Sequence, residues 1–143
     1  MNMKKIEELI NKETIMYLVF GVLTTVVNFV SYCILAYISI FPKSINTVVN
    51  TWIAWLISVV FAYLTNRKWV FESKATGIKA IIKEIVAFFA CRIATGAMDA
   101  VIMFVFVDKI YLNDKIIKLA SNVLVVILNY VGSKLFVFKK GKE

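Results

Sequence analysis

The sequence predicts an all-α, polytopic membrane protein with four transmembrane helices. Of its 143 residues, 61% are hydrophobic and only 18% are charged, whereas about a quarter of the residues of a soluble domain are charged. No charged residue occurs between Glu13 and Lys43, or between Lys43 and Arg67. Each interval exceeds the ~20 residues that a helix needs to cross the hydrocarbon core. Because lipid offers no hydrogen bonds to the backbone, and because the intervals lack the alternating pattern of a barrel, they are predicted to be helices.

One transmembrane domain is predicted from residue 15 to residue 138. Its first two spans are uninterrupted, whereas the third contains Arg92 and Asp99. The fourth has Lys118 and Lys134 near its ends, where lysines reach the headgroups. An interfacial segment, 1–14, and a basic tail, 139–143, are expected at the cytoplasmic surface. The four predicted spans cover about residues 15–39, 47–66, 84–107 and 116–136.

The basic residues are distributed unevenly between the two sides of such a bundle. Twelve lysines and arginines lie on the side of the termini and the central loop, and four lie on the other side. Cytoplasmic loops carry the excess of Lys and Arg, so both termini are predicted to be cytoplasmic, in the bacterial cytoplasmic membrane. The net charge of +8 is then mainly a topology signal, and nucleic-acid binding is not expected.

The residue types that most enzymes depend on are scarce in this chain. It contains no histidine, and its two cysteines, Cys33 and Cys91, lie in different predicted spans. No glycine-rich phosphate loop and no pairing of a nucleophile with a base is found in the sequence. The chain is therefore predicted to be neither an enzyme nor a protein with a metal or another cofactor.

The two halves of the chain resemble each other. The segments Tyr63–Phe71 and Tyr130–Phe138 close the second and fourth spans, and each has a basic residue four positions after the tyrosine and an aromatic-Val-Phe ending. Two spans per repeat predict two parallel-related helical hairpins with a pseudo-twofold axis along the membrane normal. Chance similarity of short apolar helices is the alternative. The first and third spans correspond through Gly21, Thr24, Thr25 and Asn28 in one and Arg92, Thr95, Gly96 and Asp99 in the other.

The polar positions within the spans allow two interpretations. Small residues usually let helices approach each other in lipid, so Gly21 and Gly96 are expected at packing contacts. A charge in mid-membrane costs at least ~2.5–3.5 kcal/mol. Arg92 and Asp99, two turns apart on one helix face, are therefore predicted either to bind a ligand or to form an ion pair that holds the bundle together. Asn129 is expected to form an interhelical hydrogen bond or to serve the same site.

Three motifs resemble the GtrA-like family. They are the segments Phe20–Asn28 (FGVLTTVVN), Asn66–Phe71 (NRKWVF) and its counterpart Ser133–Phe138 (SKLFVF). The resemblance covers residues 15–138. Within the family, the sequence is most similar to proteins of Gram-positive bacteria that are tied to wall teichoic acid glycosylation. Ser133 and Lys134 stand where Asn and Arg occur in the second span, so the two halves are expected to differ in function.

The resemblance implies that the protein flips an undecaprenyl-phosphate-linked monosaccharide to the outer leaflet. There a separate membrane glycosyltransferase would use it to modify a cell-wall polysaccharide such as teichoic acid. The expected partners are this lipid-linked sugar, membrane lipids, the glycosyltransferase and further copies of the chain. We expect Arg92 to meet the phosphate in mid-membrane through its planar guanidinium. The predicted substrate-binding residues are Arg92, Asn66, Asn129, Lys118, Asp99, Arg67 and Asn28.

Two other functions remain open at this point. A small multidrug exporter also has four short spans, and Asp99 would be its proton-exchanging carboxylate, although Arg92 on the same face would repel a cationic drug. Alternatively, the protein is a scaffold that transports nothing and holds a glycosyltransferase at the membrane.

Overall fold

Four long helices make up most of the part of the chain that the structure describes. The computed structural model describes residues 3, 4, 7, 11–38 and 40–138; the predicted tail, 139–143, and half of the predicted interfacial segment, 1–14, lie outside them. The described residues contain helices and no strand, which confirms the all-α prediction. All four helices are long and apolar enough to span a membrane. They are α1 (Lys12–Ile38), α2 (Lys43–Thr65), α3 (Ile78–Met103) and α4 (Asp114–Gly132).

Three of these helices continue directly into a π-helical turn. The turns are π1 (Asn66–Val70), π2 (Phe104–Lys109) and π3 (Ser133–Val137). The N–H of Phe71 donates to the carbonyl of Asn66 at 2.8 Å, and that of Phe138 donates to Ser133 at 2.8 Å. The second span therefore runs past its predicted end, because the turn that carries Arg67 stays helical. The third helix begins six residues before the predicted start of its span, at residue 78 rather than 84.

Apolar side chains cover the outside of the helices, and many of the buried side chains are polar. Val22, Phe29 and Leu119 are more than 60% exposed. A soluble protein has the opposite distribution. Lipid is as apolar as leucine, so polar groups gain by facing each other inside the bundle. The protein is thus a multi-pass membrane protein. Its buried polar or charged residues include Asn50, Ser58, Thr65, Asn66, Glu84, Thr95, Ser121, Asn129 and Ser133.

The chain divides into two compact units, and the boundary falls between Glu72 and Ser73. In the first unit, α1 packs against α2 and π1; in the second, α3 packs against α4 and π3. The same aromatic contact closes each unit. Tyr17 and Phe71 have ring centroids 6.2 Å apart at 56°, and Phe88 and Phe138 have centroids 6.1 Å apart at 56°. The repeat seen in the sequence is therefore also a repeat of internal structure.

One glycine of the second unit lies at a close helix contact. A Cβ added at Gly132 would lie 3.2 Å from the sulfur of Cys91, so α4 approaches α3 closely there. A Cβ added at Gly21 or Gly96 would have no heavy atom within 4 Å beyond its own helix backbone and chain neighbours. Among the described residues, neither glycine therefore forms the predicted packing contact within its own unit, because the side of a helix that faces its neighbour is set by helix rotation.

Candidate functional site

A track of polar and charged residues runs along one face of α3 in the second unit. With 100° of rotation per residue, Glu84, Arg92, Thr95 and Asp99 fall within an arc of about 80°. They extend over about 22 Å of helix, at a rise of 1.5 Å per residue. Such a track on a helix whose other faces are largely apolar concentrates the polar chemistry of this unit on one side.

The buried carboxylate of Glu84 lies at the first end of this track. It accepts a hydrogen bond from the hydroxyl of Ser73, and Ser73 Oγ also accepts the backbone N–H of Ala75 at 3.3 Å. These bonds tie the segment before α3 to the helix itself. Neither residue was among the predicted site residues; the only sequence signal was a carboxylate next to the apolar third span.

Arg92 lies at the middle of the 32-residue span that α3 and π2 form together, Ile78–Lys109. Its guanidinium carbon lies 5.0 Å from the centroid of the Phe88 ring, and that ring is fully buried. Among the residues that the structure describes, none gives this guanidinium a hydrogen bond or an ion pair. A cation–π contact is worth only ~0.5–2 kcal/mol, so it compensates little of the cost of a charge in mid-membrane.

Asp99 pairs with a residue of α4 and not with Arg92. Lys118 Nζ donates to Asp99 Oδ2 at 2.5 Å, and Ser121 Oγ donates to Asp99 Oδ1 at 2.6 Å. The predicted contact between Arg92 and Asp99 is therefore not formed. The two residues are about 10 Å apart along the helix, and the carboxylate turns towards the neighbouring helix. Asp99 and Lys118 form an ion pair that links α3 to α4.

Asn129 forms the interhelical hydrogen bond expected of it. Its Oδ1 accepts from Thr95 Oγ1 at 2.9 Å, and the two residues are 3% and 8% exposed. The pair lies on the track between Arg92 and Asp99. The second unit therefore brings together four of the predicted site residues, namely Arg92, Asp99, Lys118 and Asn129.

The other three predicted site residues, Asn28, Asn66 and Arg67, belong to the first unit. Asn28 Nδ2 donates to Ser58 Oγ at 3.2 Å, and Ser58 in turn donates to the carbonyl of Trp55 at 2.7 Å. Asn66 is buried at the start of π1, and its Oδ1 has no hydrogen-bond partner among the residues that the structure describes. Arg67 follows it in π1.

The first unit also contains polar residues that the sequence analysis did not single out. Ser58 is the hydrogen-bond partner of Asn28. Asn50 is one percent exposed, and no described residue accepts a hydrogen bond from its Nδ2. Both lie on one face of α2, in the series Asn50, Ala54, Ser58, Ala62. This four-residue spacing of small and polar residues is the signal that would have predicted a buried face.

The end of the second span forms an aromatic and cationic cluster. The rings of Phe20 and Trp69 stack, with centroids 5.5 Å apart at 10°, and Lys68 Nζ lies 4.9 Å from the Trp69 centroid. Trp69 is half exposed. Amphipathic rings and lysines of this kind are typical of a membrane–water boundary.

A groove of about 440 Å³ opens beside Lys118 in the second unit. Its volume is within the range of about 300–1,000 Å³ that is usual for small-molecule sites. Apolar and charged side chains line it together. The lining residues are Met103, Asp114, Lys115, Lys118, Leu119 and Asn122.

Four apolar helices, an internal repeat and a polar track inside one helical hairpin define a multi-pass membrane protein with a polar interior. Residues 16–138 match the GtrA/DPMS transmembrane domain. The chain belongs to this family, as the motifs around Asn28 and Asn66 predicted.

Several relatives resemble the chain over nearly its whole length. It is 38% identical over 128 residues to the uncharacterized membrane protein YwcD of Bacillus subtilis, covering 90% of this chain and 98% of the relative. It is 38% identical over 128 residues to the cell wall teichoic acid glycosylation protein GtcA of Listeria monocytogenes strain EGD-e, covering 90% and 86%. Another GtcA of Listeria monocytogenes is 34% identical over 149 residues, covering 98% and 100%. No solved structure matches the chain.

Proposed function

We propose that the protein flips an undecaprenyl-phosphate-linked monosaccharide to the outer leaflet of the bacterial cytoplasmic membrane. The sugar then serves the glycosylation of a cell-wall polysaccharide such as teichoic acid. Two kinds of finding support this proposal. Relatives that cover most of the chain are named cell wall teichoic acid glycosylation proteins. The chain also carries Arg92 in the middle of a span and buried hydroxyl and amide side chains, whereas many of its apolar side chains are exposed.

The mid-span guanidinium of Arg92 carries the proposal. It lies over the ring of Phe88, and no described residue gives it a hydrogen bond or an ion pair, so no carboxylate among them balances its charge. A phosphate would stabilise this charge in the membrane, because a planar guanidinium donates two parallel hydrogen bonds to phosphate oxygens. A cargo whose charged part is a single phosphate thus fits a single unpaired arginine.

The hydroxyl-rich head of the cargo needs hydrogen-bonding groups along the same path. In the second unit, Thr95, Asn129 and Asp99 follow Arg92 along the track. In the first unit, Asn28 and Asn66 offer amides. These groups are assigned to the sugar in the proposal. Arg67, at the inner end of its span, and Lys118 are assigned to the phosphate before and after it meets Arg92.

The protein itself catalyses no reaction in this proposal. It hands the lipid-linked sugar to a separate membrane glycosyltransferase and works as a homo-oligomer, because a four-helix chain makes a thin bundle. In this proposal both termini lie in the cytoplasm, because the side of the termini and the central loop carries the excess of Lys and Arg.

The contacts of Asp99 argue against a small multidrug exporter. Such a protein needs an acceptor carboxylate that exchanges protons and cationic drugs. The ammonium of Lys118 already pairs with Asp99, so the negative charge that a cationic drug would need is balanced by a residue of the protein itself. The exporter would also have to hold a cationic drug on the helix face that carries Arg92.

Translocation in liposomes that contain only this protein tests the proposal. A labelled undecaprenyl-phosphate monosaccharide is placed in both leaflets, and membrane-impermeant periodate oxidises the sugars that reach the outer face. We expect the wild-type protein to make the whole pool accessible. Arg92→Ala loses a charge-assisted contact worth about 1.5–3 kcal/mol, and translocation should slow by roughly 10- to 150-fold.

Two further variants make the result specific. Lys43→Ala removes a positive charge from the first residue of α2, in the unit that does not carry the track, and should translocate at the wild-type rate. Arg92→Lys keeps the charge but loses the planar fork, and a rate between those of the wild type and Arg92→Ala is expected. Full activity of Arg92→Lys would refute paired donation to phosphate. No transfer by folded wild-type protein, with several sugars, would favour the scaffold.

A further inference from the structure

The groove beside Lys118 has a donor-rich wall, of which the proposed path uses only Lys118. Lys115, Lys118, Leu119 and Asn122 lie at i, i+3, i+4 and i+7 on α4, so all four share one helix face. Met103, the last residue of α3, completes the wall. Two ammonium groups and an amide on one face of a spanning helix are unusual, since lysines in spans are rare unless they serve a purpose.

The cationic groups of the groove have donors to spare. Among the described residues, the ammonium of Lys115 has no partner, and that of Lys118 pairs only with Asp99. An ammonium carries three N–H donors, so donors of both lysines remain available to a ligand. Asp114 brings a carboxylate into the groove, but its Oδ1 accepts the backbone N–H of Lys115 at 2.8 Å.

A network behind the groove fixes one of these lysines. Ser121 is 2% exposed, and its hydroxyl donates to the Asp99 oxygen that Lys118 does not use. The carboxylate is thereby oriented, and Lys118 is drawn towards α3. The helix N-terminus is not the donor in this site, because Asn113 Oδ1 accepts the N–H groups of Lys115 and Ile116 at 3.1 Å each.

We propose that this groove is a second binding site, for the phosphate of a polyprenyl phosphate. Lys115, Lys118 and Asn122 bind the phosphate oxygens, and the first part of the isoprenoid chain lies against Met103 and Leu119. The choice of a polyprenyl carrier rests on the proposed function; the phosphate and the apolar chain follow from the lining. The loop charges predict that this groove is at the outer side, where the carrier phosphate arrives after it leaves Arg92, about 16 Å before Met103 along α3.

Lipid binding without transport tests this site. The full-length protein in detergent is titrated with undecaprenyl phosphate, and native mass spectrometry measures the bound fraction. Inorganic phosphate and phosphatidylglycerol are added separately as competitors. Each charge-assisted hydrogen bond that is lost should weaken binding about tenfold. We therefore expect Lys115→Gln to weaken binding about tenfold and Lys115→Gln/Lys118→Gln to weaken it further.

Lys43→Gln/Lys109→Gln is the matched control. It removes the same charge from the same expected side of the membrane, and the ammonium of Lys109 lies outside the groove, 5.2 Å from the Phe104 ring. This control should bind like the wild type. Lys115→Gln breaks no side-chain hydrogen bond or ion pair among the described residues, so it stays informative even if loss of Lys118 unfolds the protein.

Three results would overturn the site. They are equal weakening in the control and the groove variants, displacement by inorganic phosphate at equal concentration, and preference for phosphatidylglycerol over undecaprenyl phosphate. The result is independent of the liposome experiment. Intact translocation without groove binding would refute this site alone, whereas groove binding without any translocation would refute the proposed function.

Discussion

Thr95→Val removes the one hydroxyl that joins α3 to α4 at the buried Asn129. The substitution keeps the shape of the side chain and its helix face, so it isolates the hydrogen bond. In the wild type, the Thr95 hydroxyl lies 3.0 Å from the carbonyl of Cys91, 3.1 Å from that of Arg92 and 2.9 Å from Asn129 Oδ1. A hydroxyl has a single proton, so these three acceptors compete for it.

This competition sets the expected loss of stability. Interhelical hydrogen bonds in membranes contribute ~0.6 kcal/mol on average and ~1.7 kcal/mol at most. Sharing of the proton with the α3 backbone lowers the contribution of the bond to Asn129. Leaving the buried Asn129 oxygen without this donor raises the cost of the substitution. We therefore expect Thr95→Val to lower the free energy of unfolding by about 1 kcal/mol.

Reversible unfolding in bicelles, with a double-mutant cycle over Thr95→Val and Asn129→Ala, measures this loss. Thr25→Val is the matched control, because the exposed Thr25 hydroxyl donates only to the carbonyl of Gly21 in its own helix, at 3.2 Å. The control should change stability by less than about 0.5 kcal/mol. Equal losses in Thr95→Val and Thr25→Val, or a coupling energy near zero, would refute a stabilising contact between the two helices.

Two further predictions concern packing and topology. Gly132→Ala should lower the free energy of unfolding by about 1–3 kcal/mol, because the added methyl group meets Cys91. Adding Cys91→Ala should restore the wild-type stability. Gly96→Ala, where the added methyl group meets open space, should raise the free energy of unfolding by about 1 kcal/mol. The free energies of unfolding of Gly132→Ala, Gly132→Ala/Cys91→Ala and Gly96→Ala check this, and equal effects at both glycines would contradict it. In a background without Cys33 and Cys91, Lys43→Cys should react with impermeant maleimide on intact cells, and Lys74→Cys only after permeabilisation. The reverse pattern would refute the cytoplasmic termini.

The two units share their closure but differ in the charges they carry. Tyr17 with Phe71, and Phe88 with Phe138, form the same contact at the π-turn. In the sequence alignment of the halves, Gly21 and Asn28 stand where the second unit has Arg92 and Asp99. The neutral residues of the first unit fit a structural role or a role towards the sugar. The phosphate chemistry proposed here is concentrated in the second unit.

The π-turns show where reading charges along the chain falls short. The predicted second span ends at Asn66 because Arg67 and Lys68 follow it. The structure continues the helix to Val70, because the aromatic side chains of the same turn pack onto α1, Trp69 against Phe20 and Phe71 against Tyr17 after it. Such packing outweighs the charges, whose long side chains reach the headgroups from within a helix.

The sequence by itself determined that the chain has four membrane-spanning helices, that its two halves repeat, and which family it belongs to. Each of these is a local property of the chain. A run of about 20 apolar residues has to satisfy its backbone hydrogen bonds internally, whatever it packs against. The motif that ends at Phe71 and its counterpart that ends at Phe138 are also local, since each forms its aromatic contact within its own hairpin.

Only the tertiary structure decided which polar groups meet. Spacing on one helix predicted that Asp99 belongs with Arg92, but the carboxylate pairs with Lys118 and Ser121 of the next helix. In the same way, the close glycine contact is at Gly132 and not at Gly96. Pairing between helices depends on their mutual rotation and register, which are set by the packing of all their side chains together and not by the spacing within either helix.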